Sequence, residues 1–442
     1  MMKSMKSMKR FLALALTLIA GIPALAQTGT WNGKLQVSGM ELGLVFNIGE
    51  DSGTLDVPDQ GAKGIPMTVS RDAFGSVSLA IPAINASFKG FWSGKLITGT
   101  YSQNGMSLPL TLTPGAPVLK RPQTPVGPFP YVNEAVTFSN GGAVLSGTLV
   151  LPENCGRETP VVLMVTGSGL QDRDEAMFGH KPFAVIADAF ARAGIASLRY
   201  DDRGFGESTG DVVSCTTEDL KNDALAGVEL LRGRFDHVGV LGHSEGGSIA
   251  LMLAAEGKAD FVISLAGMVV SGAETLLYQN RLGLLAAGIS ASETEMYCRL
   301  LSETYDAVVQ GLPLPSPDVY DLSDGLKANW AAAAGQLRTP YMKYFLAMDL
   351  TGILGSVKCP VMALDGTKDV QVECMKNLDA LRSGLPENSR NVVKAEDGLN
   401  HLFQHCVTGG VAEYKEIEET FSPQVLSEMT SWVRSLDWTA RP

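Results

Sequence analysis

The stretch "VGVLGHSEGGSIALMLAA" (residues 238–255) decides the fold prediction. Four mostly apolar residues, typical of a buried parallel strand, lead into a glycine, a histidine and a serine, and an apolar helical pattern follows. Residues 242–246 form a G-x-S-x-G pattern, in which a sharp strand-to-helix turn projects the serine side chain out of the backbone. Gly242 and Gly246 leave room for the strand and the helix to approach closely. The pattern therefore predicts that Ser244 is a nucleophile.

The alternative is that Ser244 only caps the helix, as serine often does at a strand-to-helix turn. The two interpretations differ in what must follow along the chain, because a nucleophile of this kind needs an acid and then a histidine, in that order. Both follow, with Asp369 in "LDGTKDVQV" just past a predicted strand and His401 in the loop "DGLNHLF" after the last one. We therefore predict a triad of Ser244, Asp369 and His401.

Other residues compete for two of these roles. His405 lies four residues after His401, so that a helix would place both rings on one face. Asp365 lies where a strand turns into a loop, and Asp397 is very close in sequence to His401. We favour Asp369 as the acid and His401 as the base.

An oxyanion formed by attack of Ser244 needs at least two hydrogen-bond donors. One is expected to be the backbone N–H of Glu245, directly after the nucleophile. The other is expected from the loop "TGSG" (166–169), which follows the predicted strand "VVLMV" and consists of small residues. Ser168 is the first choice for this second donor and Gly169 the reserve.

Changes in composition divide the chain. Residues 1–26 combine a basic start, an apolar run and the small-x-small sequence Ala24-Leu25-Ala26, which is typical of a cleaved signal peptide. Residues 27–113 show seven short alternating segments and predict an antiparallel β domain, a small barrel or sandwich. Six prolines in residues 114–130 indicate a semi-rigid linker.

From residue 131 to residue 442 short apolar strands alternate with amphipathic helices. This pattern predicts an α/β domain, a mainly parallel sheet with helices on both faces, with an antiparallel hairpin at its edge. A helix-rich interval at about 268–355 interrupts the alternation. We expect it to form a cap over the carboxyl edge of the sheet, where ligands bind in open α/β folds.

The charge and the cysteine content of the chain limit the binding partners and the covalent links that we expect. The chain carries 35 Lys plus Arg against 47 Asp plus Glu, a balance that argues against a nucleic-acid surface. The signal peptide predicts a periplasmic or secreted protein without stable membrane insertion after cleavage.

Export permits disulfides, but six cysteines allow 15 pairings, and free buried thiols are the alternative. No two cysteines have metal-ligand spacing, so no metal is expected. Oligomeric state is left open. The cysteines are Cys155, Cys215, Cys298, Cys359, Cys374 and Cys406.

These motifs together resemble the α/β-hydrolase superfamily, and more closely its bacterial EstD-type carboxylesterases, which are related to serine aminopeptidase-like hydrolases. The resemblance implies a Ser-Asp-His esterase that acts on short acyl esters without a metal or organic cofactor. One position departs from the pattern, because Leu170 stands where a proline is expected. The residues that carry the resemblance are "TGSGLQDRDE" (166–175), residues 179–211, "LGHSEGGSIA" (241–250) and "DGLNHLFQ" (397–404), with "DVPDQGAKGIP" (56–66) and "PLTLT" (109–113) in the β domain.

Three functions compete. A carboxylic ester hydrolase acting on a small-molecule ester is the first. The second is a serine peptidase or aminopeptidase with the same triad, which needs a carboxylate for the amino terminus of its substrate; the acidic segment "QDRDE" (171–175) could supply one. That segment and "RYDDRGFGEST" (199–209) are otherwise expected to hold loops together through Arg–Asp pairs. The third is a non-catalytic binding protein, which the complete triad disfavours.

Overall fold

The computed structural model describes residues 27–37, 40–57, 62–72, 75–115 and 120–436. The predicted signal peptide, residues 1–26, lies outside the described residues. The chain divides into two compact units, Met1–Val118 and Leu119–Pro442. None of the helices in the described part of the chain combines the length and the hydropathy of a membrane span.

The first unit contains a closed antiparallel barrel of eight strands in sequential order. The barrel closes where the first strand pairs with the last, Trp31 opposite Pro114. Its interior is filled by apolar side chains that alternate along the strands, among them Phe46, Leu55 and Phe88. The strands are β1 (Gly29–Val37), β2 (Met40–Ile48), β3 (Ser52–Val57), β4 (Ala62–Arg71), β5 (Ser76–Ile81), β6 (Ala86–Trp92), β7 (Ile97–Gln103) and β8 (Met106–Pro114).

Strand β3 is absent from the seven segments predicted from the sequence. Its first residues, Ser52 and Gly53, look like turn residues, yet they pair with Thr68 and Met67 of β4. The turn before it is tight, since the Gly49 N–H donates to the Ser52 carbonyl at 2.9 Å. A strand that begins with small polar residues directly after a turn carries little alternation of its own, which explains the omission.

The second unit is built on an eight-stranded sheet with the order β16-β15-β14-β13-β11-β12-β10-β9. Strands β9 and β10, the first two of this unit in the chain, form an antiparallel hairpin at one edge of the sheet. All the strands from β11 onward run parallel to one another. The strands are β9 (Val132–Asn140), β10 (Ala143–Leu151), β11 (Val161–Val165), β12 (Ala196–Tyr200), β13 (Val238–His243), β14 (Val262–Leu265), β15 (Val361–Gly366) and β16 (Val392–Glu396).

Five helices cover the two faces of this sheet. Alternate residues of the parallel strands point to opposite faces, and each face forms an apolar cluster with its own helices. One face packs against α2 (Thr217–Arg232), α3 (Glu245–Ala255) and α8 (Cys374–Gly384). The other face packs against α1 (Pro182–Arg192) and α9 (Pro423–Ser435).

The remaining four helices lie between β14 and β15, in the interval predicted as a cap. They are α4 (Gly272–Ala286), α5 (Ala291–Gln310), α6 (Asp324–Ala334) and α7 (Pro340–Ala347). They share an apolar cluster around Tyr297, Leu301 and Trp330. The short helix α7 was not predicted, although it starts in a recognisable way, with Thr339 accepting from the Met342 N–H at 3.3 Å and proline in its first turn.

The predicted linker belongs to the second unit from residue 120 onward, and two of its polar side chains bind other segments of that unit. The Arg121 guanidinium donates to the backbone carbonyls of Phe178, Lys415 and Ile417. The Gln123 side chain bonds both to the Thr420 N–H, at 2.6 Å, and to the Phe421 carbonyl, at 2.7 Å. This part of the proline-rich segment is therefore held within the second unit by side-chain bonds from its polar residues.

Candidate active site

Ser244 occupies the tight turn between β13 and α3. Its φ of 54° and ψ of −119° lie in a region that residues with a side chain rarely adopt. The Ser244 N–H donates to the Leu265 carbonyl at 2.8 Å, which fixes the turn against the next strand. A Cβ atom on Gly242 would lie 1.9 Å from the Gly246 oxygen, and one on Gly246 would lie 2.1 Å from the Val165 oxygen. The turn therefore requires both glycines that the sequence pattern singled out.

His401 and Asp369 are hydrogen-bonded, with 2.6 Å between His401 Nδ1 and Asp369 Oδ2. Both side chains are buried. Asp369 Oδ1 accepts from the backbone N–H groups of Gln371, at 2.7 Å, and Val372, at 2.9 Å. Burial alone would raise the pKa of Asp369, but the charge of His401 and these hydrogen bonds outweigh burial and lower it. Asp369 is thereby held as a carboxylate facing the imidazole.

Ser244 and His401 line one cavity of about 240 Å³ at the carboxyl edge of the sheet. The carboxyl ends of β11, β13, β15 and β16 meet at this edge because these strands are parallel. The structure therefore brings the three predicted triad residues to one place. Besides these two residues, the lining consists of Gly167, Ser168, Gln171, Met177, His243, Met268, Leu276, Gln279, Tyr341, Met342, Phe345, Gln371 and Leu402.

The two predicted oxyanion donors come from opposite sides of the turn. Glu245 is the first residue of α3, so the helix itself does not use its backbone N–H. Ser168 lines the cavity beside Ser244, whereas Gly169, the reserve, is not among the lining residues. The positive end of the α3 dipole points to the same place, which favours negative charge there.

The competing residues lie elsewhere or bind other groups. The side chain of His405 is 61% exposed and bonds to Glu419 at 2.8 Å, so it does not reach the cavity. Asp397 is exposed and accepts from the Thr367 hydroxyl at 3.2 Å. Asp365 is buried, with the Asp369 carboxyl group as its neighbour. Burial and the neighbouring charge of Asp369 raise the pKa of Asp365 well above its ordinary value.

The acidic segment 171–175 is engaged within the fold. Asp172 accepts from two backbone N–H groups of its own loop. Arg173 pairs with Asp201 at 2.7 Å and with Glu207 at 2.6 Å. The two remaining carboxylates bind buried or partly buried partners: Asp174 pairs with Arg199 and Lys181, and Glu175 accepts from Gly167 and His243. The expectation that this segment holds loops together agrees with these contacts.

Two cap tyrosines that the sequence analysis did not single out bind the residues of the site. The Tyr278 hydroxyl on α4 donates to the Asp369 backbone carbonyl at 2.9 Å. The Tyr341 hydroxyl on α7 donates to Glu245 Oε2 at 2.5 Å, while Glu245 Oε1 accepts from Thr217 at 2.6 Å. No local pattern marks these tyrosines, because their partners lie 91 and 96 residues away in the chain.

The described residues hold six unpaired cysteines and no group of three or more His, Cys, Asp or Glu side chains that could bind a metal ion. The polar side chains that line the cavity are the hydroxyls of Ser168 and Ser244, the imidazoles of His243 and His401, the phenol of Tyr341 and the amides of Gln171, Gln279 and Gln371.

The chain is similar to known hydrolases. The family described as "Serine aminopeptidase, S33" matches residues 181–309. Esterase EstD of Thermotoga maritima is 36% identical over 124 residues, which are 28% of this chain and 30% of that protein. The chain therefore spans about a third of the length of this curated relative.

Solved structures of low sequence identity were also matched. An esterase of Pyrococcus furiosus is 15% identical, with a TM-score of 0.44, over 72% of this chain and 98% of that chain. A proline iminopeptidase of Mycobacterium smegmatis is 16% identical, with a TM-score of 0.43, over 68% of this chain and 98% of that chain.

The strand order, the glycine-flanked turn at Ser244 and the family match over residues 181–309 agree with one another. The resemblance predicted from the motifs is confirmed, as is the fold class, including the antiparallel domain ahead of it. The second unit of the chain has the α/β-hydrolase fold and resembles the EstD-type esterases.

Proposed function

We propose that this chain is an exported serine esterase that hydrolyses short-chain acyl esters through an acyl-enzyme. The observation that carries the proposal is the 2.6 Å hydrogen bond between His401 Nδ1 and Asp369 Oδ2, with His401 and Ser244 lining the same cavity. A hydroxyl, an imidazole and a buried carboxylate in this order are the groups that acyl transfer requires. The similarity to Esterase EstD supports esters as the substrate class.

His401 takes the proton of Ser244 as the serine oxygen attacks the acyl carbon. Asp369 keeps the Nδ1–H tautomer of His401 and stabilises the imidazolium that forms. The imidazolium then gives its proton to the leaving alcohol, and the acyl group stays on Ser244. A water molecule, deprotonated by His401, attacks this acyl-enzyme and releases the acid, which restores the serine hydroxyl.

The negative charge on the acyl oxygen is stabilised by backbone N–H groups. In this proposal the donors are Glu245, at the start of α3, and Ser168, with Gly169 as the reserve for the second. The N-terminal dipole of α3 adds to the stabilisation. Because these donors are held by the turn and the loop before substrate arrives, little reorganisation is needed in the transition state.

The size and lining of the cavity support a short apolar acyl group. Its volume of about 240 Å³ is below the range of about 300–1,000 Å³ that is usual for drug-sized ligands. One part of the lining is formed by Met268, Leu276, Met342 and Phe345. These side chains favour an alkyl or small aromatic acyl chain over a charged one.

A serine peptidase or aminopeptidase is the second candidate, favoured by the description of the matching family. An aminopeptidase binds the ammonium group of its substrate, and a carboxylate usually serves for that. The lining of the cavity includes no Asp or Glu among the described residues. The carboxylates of the segment 171–175, which could have filled this role, bind partners within the fold. These contacts favour the esterase.

The proposal is tested with the purified protein on p-nitrophenyl esters of increasing acyl length and on aminoacyl anilides. We expect hydrolysis of the short esters, little of the anilides, and a loss on the order of 10⁴ or more in kcat for Ser244→Ala. Ser383→Ala, at an exposed serine of α8, is the matched control and should keep full activity. Equal activity of wild type and Ser244→Ala would disprove the assignment, and comparable turnover of anilides would favour the peptidase.

Export is a separate part of the proposal. It rests on the signal-peptide pattern of residues 1–26. When the whole chain is expressed in a bacterium, we expect the protein in the periplasm or medium, with Gln27 at its amino terminus by mass spectrometry. Retention of an unprocessed chain in the cytoplasm would contradict this part and leave the chemistry untouched.

A further inference from the structure

Beside the proposed triad lies a second buried pair of a histidine and a carboxylate. His243 Nδ1 is 2.9 Å from Glu175 Oε1, and both side chains are buried, at 7% and 1% exposure. His243 comes directly before the nucleophile, and its ring centroid lies 4.7 Å from that of His401. Neither Glu175 nor His243 has a part in the proposed mechanism.

Both members of this pair hold the backbone of the site. Glu175 Oε1 also accepts from the Gly167 N–H at 2.8 Å, directly before Ser168 in the oxyanion loop. On the other side, His243 Nε2 is 2.9 Å from the backbone carbonyl of His401. One chain of three hydrogen bonds therefore runs from the oxyanion loop to the backbone of the proposed base.

The partners of His243 determine its protonation. A carboxylate and a backbone carbonyl can only accept, so each ring nitrogen of His243 must carry a hydrogen for both bonds to form. The ring is then an imidazolium, and Glu175 is its counter-charge. The ionisable groups around it are Glu175, His401 and Asp369. Burial alone would lower the pKa of His243, but the charge and hydrogen bond of Glu175 and the bond to His401 raise it overall.

The backbone at Glu175 supports a specific role for its side chain. Its φ of 52° lies in the left-handed region, which favours glycine over residues with a side chain. A carboxylate kept at such a position, nearly inaccessible to solvent, indicates that the fold holds this backbone geometry for its contacts.

We propose that Glu175 and His243 are positioning residues, a buried carboxylate–imidazolium pair that fixes the oxyanion loop at Gly167 relative to the backbone of His401. The proposal rests on the proposed function. By holding these two segments, the pair sets the distance between the second oxyanion donor and the base. It acts through Gly167 and His401 and does not touch the substrate.

The kinetic test compares Glu175→Gln, His243→Gln and the double variant in the full-length protein with a short p-nitrophenyl ester. Each single change leaves an amide or a neutral ring, so that the three hydrogen bonds of the chain, two of which share Glu175 Oε1, cannot all be kept. We expect kcat to fall on the order of 10- to 100-fold with KM nearly unchanged, less than the 10²- to 10³-fold for removing an oxyanion donor. The double variant should lose no more than the worse single one, since the pair works as a unit.

Glu419→Gln is the matched control. It removes the same charge from another His–Glu pair, whose Glu419 Oε1 lies 2.8 Å from His405 Nδ1 outside the cavity. We expect wild-type kcat and KM from it. Circular dichroism and thermal unfolding show whether every variant is folded. Three results would overturn the proposal: a folded Glu175→Gln protein with wild-type kcat, a change in KM without a change in kcat, or an equal loss of kcat in Glu419→Gln.

A spectroscopic test reads the pair directly. The chain has five histidines, so selective ¹⁵N-histidine labelling gives five rings to follow by NMR. We expect one ring to carry hydrogens on both nitrogens at pH 7, to vanish in His243→Gln and to become singly protonated in Glu175→Gln. A singly protonated His243 in the wild type would overturn the proposal. If no ester is hydrolysed in a Ser244-dependent way, the proposed function fails, while this measurement still decides the pairing.

Discussion

The interior of the β barrel and the carboxyl edge of the α/β sheet are both buried, but they are filled differently. In the barrel the buried side chains are apolar, apart from Gln27, among the described residues of that unit. At the sheet edge the buried side chains include Glu175, His243, Asp369 and His401. Burying ionisable groups is costly unless each is paired, and here most of them are. Stability alone explains the barrel interior, whereas the buried ionisable groups at the sheet edge need a function to explain them.

Of the changes to these two regions, Asp369→Asn at the sheet edge is expected to have the largest effect. Asparagine keeps the shape but cannot act as the charged acceptor that holds the Nδ1–H tautomer of His401. We expect kcat for a short ester to fall by about 10⁴-fold, as in other Ser-His-Asp sites, with the fold retained. Asp397→Asn, at an exposed position nearby, is the control. A larger loss from Asp397→Asn than from Asp369→Asn would move the acid to Asp397.

An intermediate effect, on stability alone, is expected from Phe88→Ala in the barrel. Phe88 is fully buried, with its ring 6.0 Å from that of Phe46. We expect the free energy of unfolding of the first unit, measured by urea denaturation, to fall by about 3–5 kcal/mol, because a large cavity is left behind. Lys89→Ala, an exposed neighbour on the same strand, should change it by less than about 0.5 kcal/mol. A folded Phe88→Ala protein with strongly reduced kcat would show that the barrel takes part in the chemistry.

A last effect, on stability and dependent on pH, is expected from Asp365→Asn. Because the pKa of Asp365 is raised in the folded protein, the wild type is most stable below the ordinary carboxyl pKa and loses stability as pH rises toward the raised value. Asparagine does not ionise, so the variant should be more stable at pH 7 by about 1.4 kcal/mol for each pH unit of the shift, and equal to the wild type near pH 3.

Thermal unfolding of the wild type and Asp365→Asn between pH 3 and pH 8 measures this difference. Asp397→Asn, which removes a charge from an exposed site, should show no comparable gain. The pH dependence belongs to the pair of Asp365 and Asp369, because their carboxyl groups interact. A variant that is less stable than the wild type at pH 7 would mean that the Asp365 carboxylate is stabilising.

The sequence predicted the parts of the site that follow from strand ends. Ser244, Asp369 and His401 each come at or after the end of a parallel strand, and parallel strands end at one edge, so their proximity follows from local patterns. The roles assigned to them remain predictions. The same reasoning recovered every strand of the α/β sheet, because short apolar runs between amphipathic helices are strong local signals.

What the sequence did not predict depends on contacts between distant segments. Glu175 lies among other charges in "QDRDE", and the sequence does not distinguish it from Asp172 or Asp174. Its side-chain bonds to Gly167 and to His243, 68 residues away, do so. Tyr278 and Tyr341 lie in the cap, whose docking is set by packing rather than by a periodic pattern. Strand β3 was missed for the opposite reason, because its local residues favour a turn and its pairing with both neighbours outweighs them.

The two cap tyrosines bear on how this chain could be re-engineered. Tyr278 and Tyr341 connect the cap to the loops of the proposed site, since each bonds to a residue of that site. Cap helices taken from a different protein to change substrate preference would therefore remove two supports of the proposed site along with the present wall of the cavity. A graft that keeps both hydroxyls in place separates these two consequences, so that selectivity can be varied while the loops of the proposed site keep their hydrogen bonds to the cap.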